Sequence, residues 1–276
     1  MSATPPRGPN ASGAAAFLPL AGEALKTIWR ERNAVLLLAI LPAIGSFLLE
    51  IAMVATGLLT LIDPAAGRMP TFGEFMTMLM IFCINLAFVT IFSVAWTRRL
   101  LIGPADGLGL RWGRRELGYL ARLVGIMLTV VLASFLVSLA LALVGLGLMA
   151  TPAGINFVTA AGLALAIFVY VRAMLILPAA AIDRPLGVAQ ALEATRGARS
   201  IWIGVALVLV ILPFLLLFFA VALVLSASGL SAAAPYASLF IQAMLGYAMQ
   251  ATIIALHTLA YRQLIGGARG PTTAPA

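Results

Sequence analysis

The chain is short of almost every residue that soluble chemistry relies on. Its 276 residues include one Cys, one His, one Lys and nine Asp and Glu, and only 9% of the chain is charged. A single Cys, Cys83, excludes an intramolecular disulfide, and one Cys with one His cannot complete a His/Cys zinc site. No His-Glu-x-x-His string occurs, and any Ser nucleophile would have to borrow the sole His257. Gly107-Leu108-Gly109 follows no strand and opens no phosphate-binding or dinucleotide-binding unit. The nine acids are scattered without a clustered pair, which disfavours carboxylate and metal–carboxylate enzymes. A non-catalytic chain without a cofactor is therefore expected. A soluble domain carries about 25% charged residues, so this chain cannot coat a globule with polar surface.

What is abundant is apolar: 63% of residues are hydrophobic and the mean hydropathy is +1.12. A helix needs about 20 predominantly apolar residues to cross a ~30 Å hydrocarbon core. Six stretches qualify: Ala34–Ile62, Phe75–Trp96, Leu123–Met149, Phe157–Leu177, Ile201–Ser226 and Ala237–Tyr261. The expected fold is all-α, a polytopic membrane protein with six transmembrane helices. Turn signals at Asp63-Pro64, Gly103-Pro104, Thr151-Pro152, Asp183-Arg184-Pro185 and Ser228-Gly229 separate the spans. Residues 1–13 are Pro-, Ala- and Ser-rich and read as a disordered leader with no signal-peptide core. Residues 14–266 form the membrane domain and 267–276 a flexible tail.

The bases alternate along the chain. Fifteen of the seventeen fall before span one, in the second and fourth loops, or in the tail; Arg68 alone lies in the first loop and Arg172 inside span four. Bases are retained on the cytoplasmic side, which predicts cytoplasmic termini in a bacterial inner membrane. The net charge of +8 therefore records topology, and no nucleic-acid partner is expected. Trp29, Trp96, Trp112 and Trp202 fall near the same face and suit an interfacial belt.

The spans also echo one another. The string Arg-x-Leu-Ile-Gly ends spans two and six, at 99–103 and 262–266, and Arg172 to Pro178 repeats the spacing of Arg98 to Pro104. Leu38-Ala39-Ile40-Leu41-Pro42 in span one matches Leu209-Val210-Ile211-Leu212-Pro213 in span five. Ahead of each odd span lies a short amphipathic stretch: Phe17, Ala21, Leu25 and Ile28 in the first; Trp112, Leu117, Tyr119 and Leu120 in the second; Val188, Ala191, Leu192 and Thr195 in the third. The predicted unit is a cytoplasmic interfacial helix followed by a two-span hairpin, present three times in parallel rather than inverted.

Ionisable groups within spans cost about 2.5–3.5 kcal/mol each on insertion scales, which makes them site candidates. Glu50, roughly 24 Å along span one at ~1.5 Å per residue, lies in the outer half and should face the bundle or a hydrated cleft. It reads either as a proton or cation site or as a carboxyl hydrogen-bonded to a neighbouring span. Arg172 should snorkel toward the cytoplasmic end, pairing with Asp183 or Glu193 or holding a lipid phosphate. His257, in the last turns of span six, reads as a hydrogen-bonded interfacial residue. Asn85, Gln242 and Gln250 are expected to join spans by side-chain hydrogen bonds. Pro42 and Pro213 remove mid-span donors and mark candidate hinges.

Arg172, Pro178 and the string Ala191-Leu192-Glu193-Ala194-Thr195-Arg196-Gly197 resemble a set of uncharacterised bacterial multi-pass proteins. That set is similar to the membrane domain of some glycerophosphodiester phosphodiesterases. The resemblance implies the six-span plan; no phosphodiesterase sequence follows Arg269 here, so it does not carry that activity. The expected function is to organise membrane lipids or a membrane or cytoplasmic protein partner through the bundle and its amphipathic helices. The alternative, motivated by Glu50, Pro42 and Pro213, is a transporter or permeation module for a small amphiphile or ion.

Overall fold

The computed structural model describes residues 13–58, 71–104, 111–144, 151–184, 186–228 and 235–266, which form helices and no strand. The leader up to residue 12, the Asp63-Pro64 turn, Arg68 and the tail 267–276 lie outside the described residues; Gly13 already belongs to the first helix. The helices are α1 (Gly13–Arg30), α2 (Arg32–Ala55), α3 (Phe72–Ile102), α4 (Arg114–Val144), α5 (Pro152–Ala173), α6 (Ile176–Ala181), α7 (Val188–Ala194), α8 (Ala198–Ala227) and α9 (Pro235–Leu264). Six spans are long and apolar enough to cross a membrane, with α5 and α6 together making the fourth.

Local chemistry explains where these helices start and stop. Thr71 and Glu74 close a capping box at the start of α3: Glu74 N–H donates to Thr71 Oγ1 at 3.3 Å and Thr71 N–H to Glu74 Oε2 at 2.7 Å. That helix runs past the expected end at Trp96 to Ile102 and stops at Gly103, whose φ of +115° is open to glycine and whose N–H returns to Arg99 O at 3.1 Å. In the first Arg-x-Leu-Ile-Gly string the Gly is thus a helix stop, whereas α9 ends at Leu264, ahead of Gly266 in the second. Span one is shorter than expected: α2 ends at Ala55 and turns through Thr56 and Gly57 rather than continuing to Ile62. The fourth span is interrupted at Met174–Leu175. Pro178 has no N–H to give the Met174 carbonyl four residues back, so Leu177 N–H bonds it instead at 3.2 Å. By contrast α2 and α8 continue unbroken through Pro42 and Pro213.

The spans close into a ring in chain order: each packs on the next, and α9 returns to α2. The three predicted hairpins, α2–α3, α4–α5 and α8–α9, are three arcs of that ring. Phe92, Trp96, Met174, Leu175 and Ile203 are its most deeply buried large side chains. Large apolar residues such as Leu132, Phe135, Phe219 and Leu223 point outward, where only acyl chains would cover them.

Two expectations about the amphipathic stretches change. The second is no separate helix: Arg114–Leu120 forms the opening turns of α4. The first is α1, but its buried face is Phe17, Leu20, Ala21 and Ala24, against α8 and α9, while Leu25 is exposed. Both choices fit a 3.6-residue period, and the helices below decide which face is used. Trp96 is not interfacial either. It is fully buried and donates from Nε1 to Ala251 O at 3.0 Å, which leaves Trp29, Trp112 and Trp202 nearer the surface.

Candidate functional site

Most of the predicted polar residues converge on one cleft. Ser46 and Glu50 stand four residues apart on α2, so they share a face; Asn85 comes from α3, and Gln242, Tyr247 and Gln250 from α9. Together they line a cleft of about 220 Å³. Ser46 Oγ donates to Asn85 Oδ1 at 2.6 Å and lies 3.0 Å from the Tyr247 hydroxyl, so three spans meet at one hydroxyl group. Phe92, fully buried, packs its ring edge-on to Tyr247 at 5.2 Å. Glu50 Oε2 is buried and has no hydrogen-bond partner among the described residues. Asn85 and Gly246 remain exposed, which leaves the cleft open on its outer side.

Arg172 and His257 are elsewhere. His257 is buried within the bundle, not interfacial: its Nε2 lies 3.3 Å from the Tyr170 hydroxyl. Arg172 pairs with neither expected carboxylate. Asp183 is engaged by Arg115 at 2.7 Å and Arg98 at 3.7 Å, and Glu193 by Arg196 at 3.7 Å. The Arg172 guanidinium lies 5.8 Å from the Phe168 ring and borders a second, largely apolar pocket of about 770 Å³ with Arg122. Neither of these two arginines forms an ion pair among the described residues; Arg122 Nη1 donates to Gly118 O at 2.9 Å. Ile126, Phe168, Val188 and Leu192 supply apolar wall.

The Ala-x-x-x-Thr-Arg-Gly string adjoins that pocket and contributes Leu192 to its wall. Ala191 is the buried residue of α7, and Thr195, also buried, donates to Ala191 O at 2.8 Å while lying 3.4 Å from Arg172 O. Gly197 turns the chain with φ +68°, a conformation that favours glycine, and α8 begins. Val188 and Leu192 of α7 are left exposed because they face the open pocket rather than the core.

Comparison with protein-family models, curated proteins and solved structures gives no match. The assignment of function therefore rests on these two sites.

A third set of arginines holds the helix ends together. Arg99 pairs with Glu31 at 2.9 Å. Arg262 donates through Nη2 to the Leu100 carbonyl, and Arg98 to Ala181 O at 3.2 Å. Cations at the carbonyl end of a helix satisfy orphan acceptors and oppose its dipole. Ser46, Tyr247 and Arg122 are the site residues that sequence reading passed over. Ser46 precedes Glu50 by one helical turn, and Tyr247 falls between Gln242 and Gln250, so a search for polar neighbours at helical spacing finds both. Arg122 reads only as one more topological charge.

Proposed function

We propose that this chain is a non-catalytic, multi-pass protein of a bacterial inner membrane, with both termini cytoplasmic, that organises anionic lipid. The observation that carries this reading is the pair Arg122 and Arg172, without a carboxylate partner among the described residues, at the edge of an apolar pocket of about 770 Å³. Basic groups beside an apolar groove between spans suit a phosphate head group with its acyl chains laid against Phe168, Val188 and Leu192. The arginine-rich end is then the cytoplasmic one, and α7 lies at the level of the head groups.

The reading is tested by native mass spectrometry of the purified chain with phosphatidylglycerol, cardiolipin and phosphatidylcholine. Anionic lipid should be retained in preference to phosphatidylcholine, and Arg122→Gln with Arg172→Gln should lower its retention tenfold or more. Equal retention of all three lipids, or no change in the double variant, removes the proposal.

A second reading, passage of a small amphiphile or ion, is favoured by Glu50 facing a cleft instead of a closed helix contact. Liposome flux compared between wild type and Glu50→Gln tests it; equal flux counts against it.

A further inference from the structure

We infer that the cleft between α2, α3 and α9 binds an ammonium group, with Glu50 as its counter-ion. The inference is independent of the arginine pocket and of whether anything crosses the membrane.

Three observations lead to it. Among the described residues the cleft is lined by one carboxyl group and by no Lys, Arg or His, so none of them supplies Glu50 with a cation. One oxygen of that carboxyl, Oε2, is buried and without a hydrogen-bond partner among the described residues, while Ser46, Asn85 and Tyr247 beside it are bonded to one another. A buried acceptor left unpaired is costly, and a charged one more so. The cleft also opens outward at Asn85 and Gly246.

Size and donor count select the kind of cation. Hard metal ions need six or more oxygens at about 2.0–2.6 Å, whereas here one carboxyl group stands beside the Gln242 and Gln250 amides, and Ser46 is already engaged with Asn85 and Tyr247. A cleft of about 220 Å³ is several times the share of one water, ~30 Å³ in the liquid. It therefore suits a group of several heavy atoms better than a bare ion. A primary ammonium carries three donors in a compact head. One can meet the Glu50 carboxyl, and the side-chain carbonyls of Gln242 and Gln250 are within the same lining to accept the others. A short alkyl stem would rest against Val89 and Ala243.

Depth favours a source outside the arginine-rich end. Glu50 lies eighteen residues after Arg32, roughly 27 Å at ~1.5 Å per residue, close to the far edge of a ~30 Å hydrocarbon core. An ammonium could reach it from the head group of an ethanolamine phospholipid or from a free amine in solution.

The test uses the full chain in detergent micelles. Equilibrium binding of radiolabelled ethanolamine probes the soluble source, and native mass spectrometry with phosphatidylethanolamine against phosphatidylcholine probes the lipid source. Saturable binding of either probe, lowered tenfold or more by Glu50→Gln and largely kept by Glu50→Asp, supports the inference. Ethanolamine alone would identify a free amine, and phosphatidylethanolamine alone a lipid head group. Should Glu50→Gln not fold, protection of Glu50 in the wild type from carbodiimide modification takes its place. The better-bound probe must then slow that modification. Failure of both probes to bind, binding that ignores Glu50→Gln, or absence of protection overturns the inference.

Discussion

The indole nitrogen of Trp96 on α3 donates to the main-chain carbonyl of Ala251 on α9 at 3.0 Å, across a contact from which solvent is fully excluded. The residue at the end of an expected span is thereby a bolt between two helices. The Ala251 carbonyl keeps its own helical partner, so removing the indole N–H does not orphan it. Trp96→Phe should cost about 1–2 kcal/mol, for one modest hydrogen bond and a small void, and Trp96→Ala about 3–5 kcal/mol. Thermal unfolding of the purified variants measures both; equal losses would show that ring size is irrelevant there.

Gly45 faces Phe88 so closely that an added Cβ would sit 2.5 Å from its ring. Gly45→Ala should therefore push α2 and α3 apart and cost about 1–3 kcal/mol by overpacking. Phe88→Leu in the same chain should recover much of that loss. Unfolding midpoints of the two single variants and the double variant form the cycle, and strictly additive effects would rule out the clash.

Pro178 produces the break at Met174–Leu175 by withholding one N–H. Pro178→Ala should restore the bond to Met174 O and join α5 to α6. Hydrogen–deuterium exchange should slow across residues 174–178. If exchange there is unchanged, the interruption is imposed by the surrounding helices and not by the proline.

Asp183 ends α6 with φ +57°, in the left-handed region, and reaches Arg115 and Arg98. Its side chain is more than half exposed, so the ion pairs contribute little and the backbone dominates. Asp183→Asn should be close to neutral, because Asn tolerates this conformation. Asp183→Ala should cost about 1–2 kcal/mol. Thermal melts at raised salt separate the two effects; a larger loss in Asp183→Asn than in Asp183→Ala would reverse the assignment.

The spans were legible because apolar length alone decides them, and Glu50, Asn85, Gln242 and Gln250 stood out as rare polar residues within them. Their convergence was not legible, since it depends on how α9 closes back on α2. Ser46 and Tyr247 are unremarkable inside a span until a hydroxyl from one helix meets another. Helix ends were misjudged where arginines follow apolar residues. Arg98 and Arg99 look like a loop after Trp96, yet they remain helical because Ala181 O, Asp183 and Glu31 engage their guanidinium groups. The register of α1 escaped for a related reason: Leu25 and Leu20 are equally apolar, and the surface of α8 and α9 chooses between them.

The arginine contacts at the helix ends have a direction. Arg262 at the exit of the sixth span reaches the exit of the second, and Arg98 at the exit of the second reaches the exit of the fourth. A third step, from the fourth back to the sixth, would complete a cyclic relay. Arg172 is the fourth span's own arginine, and it faces the apolar pocket instead. The relay is therefore open at one joint, and the charge that would have closed it is left free to hold a partner from outside the chain.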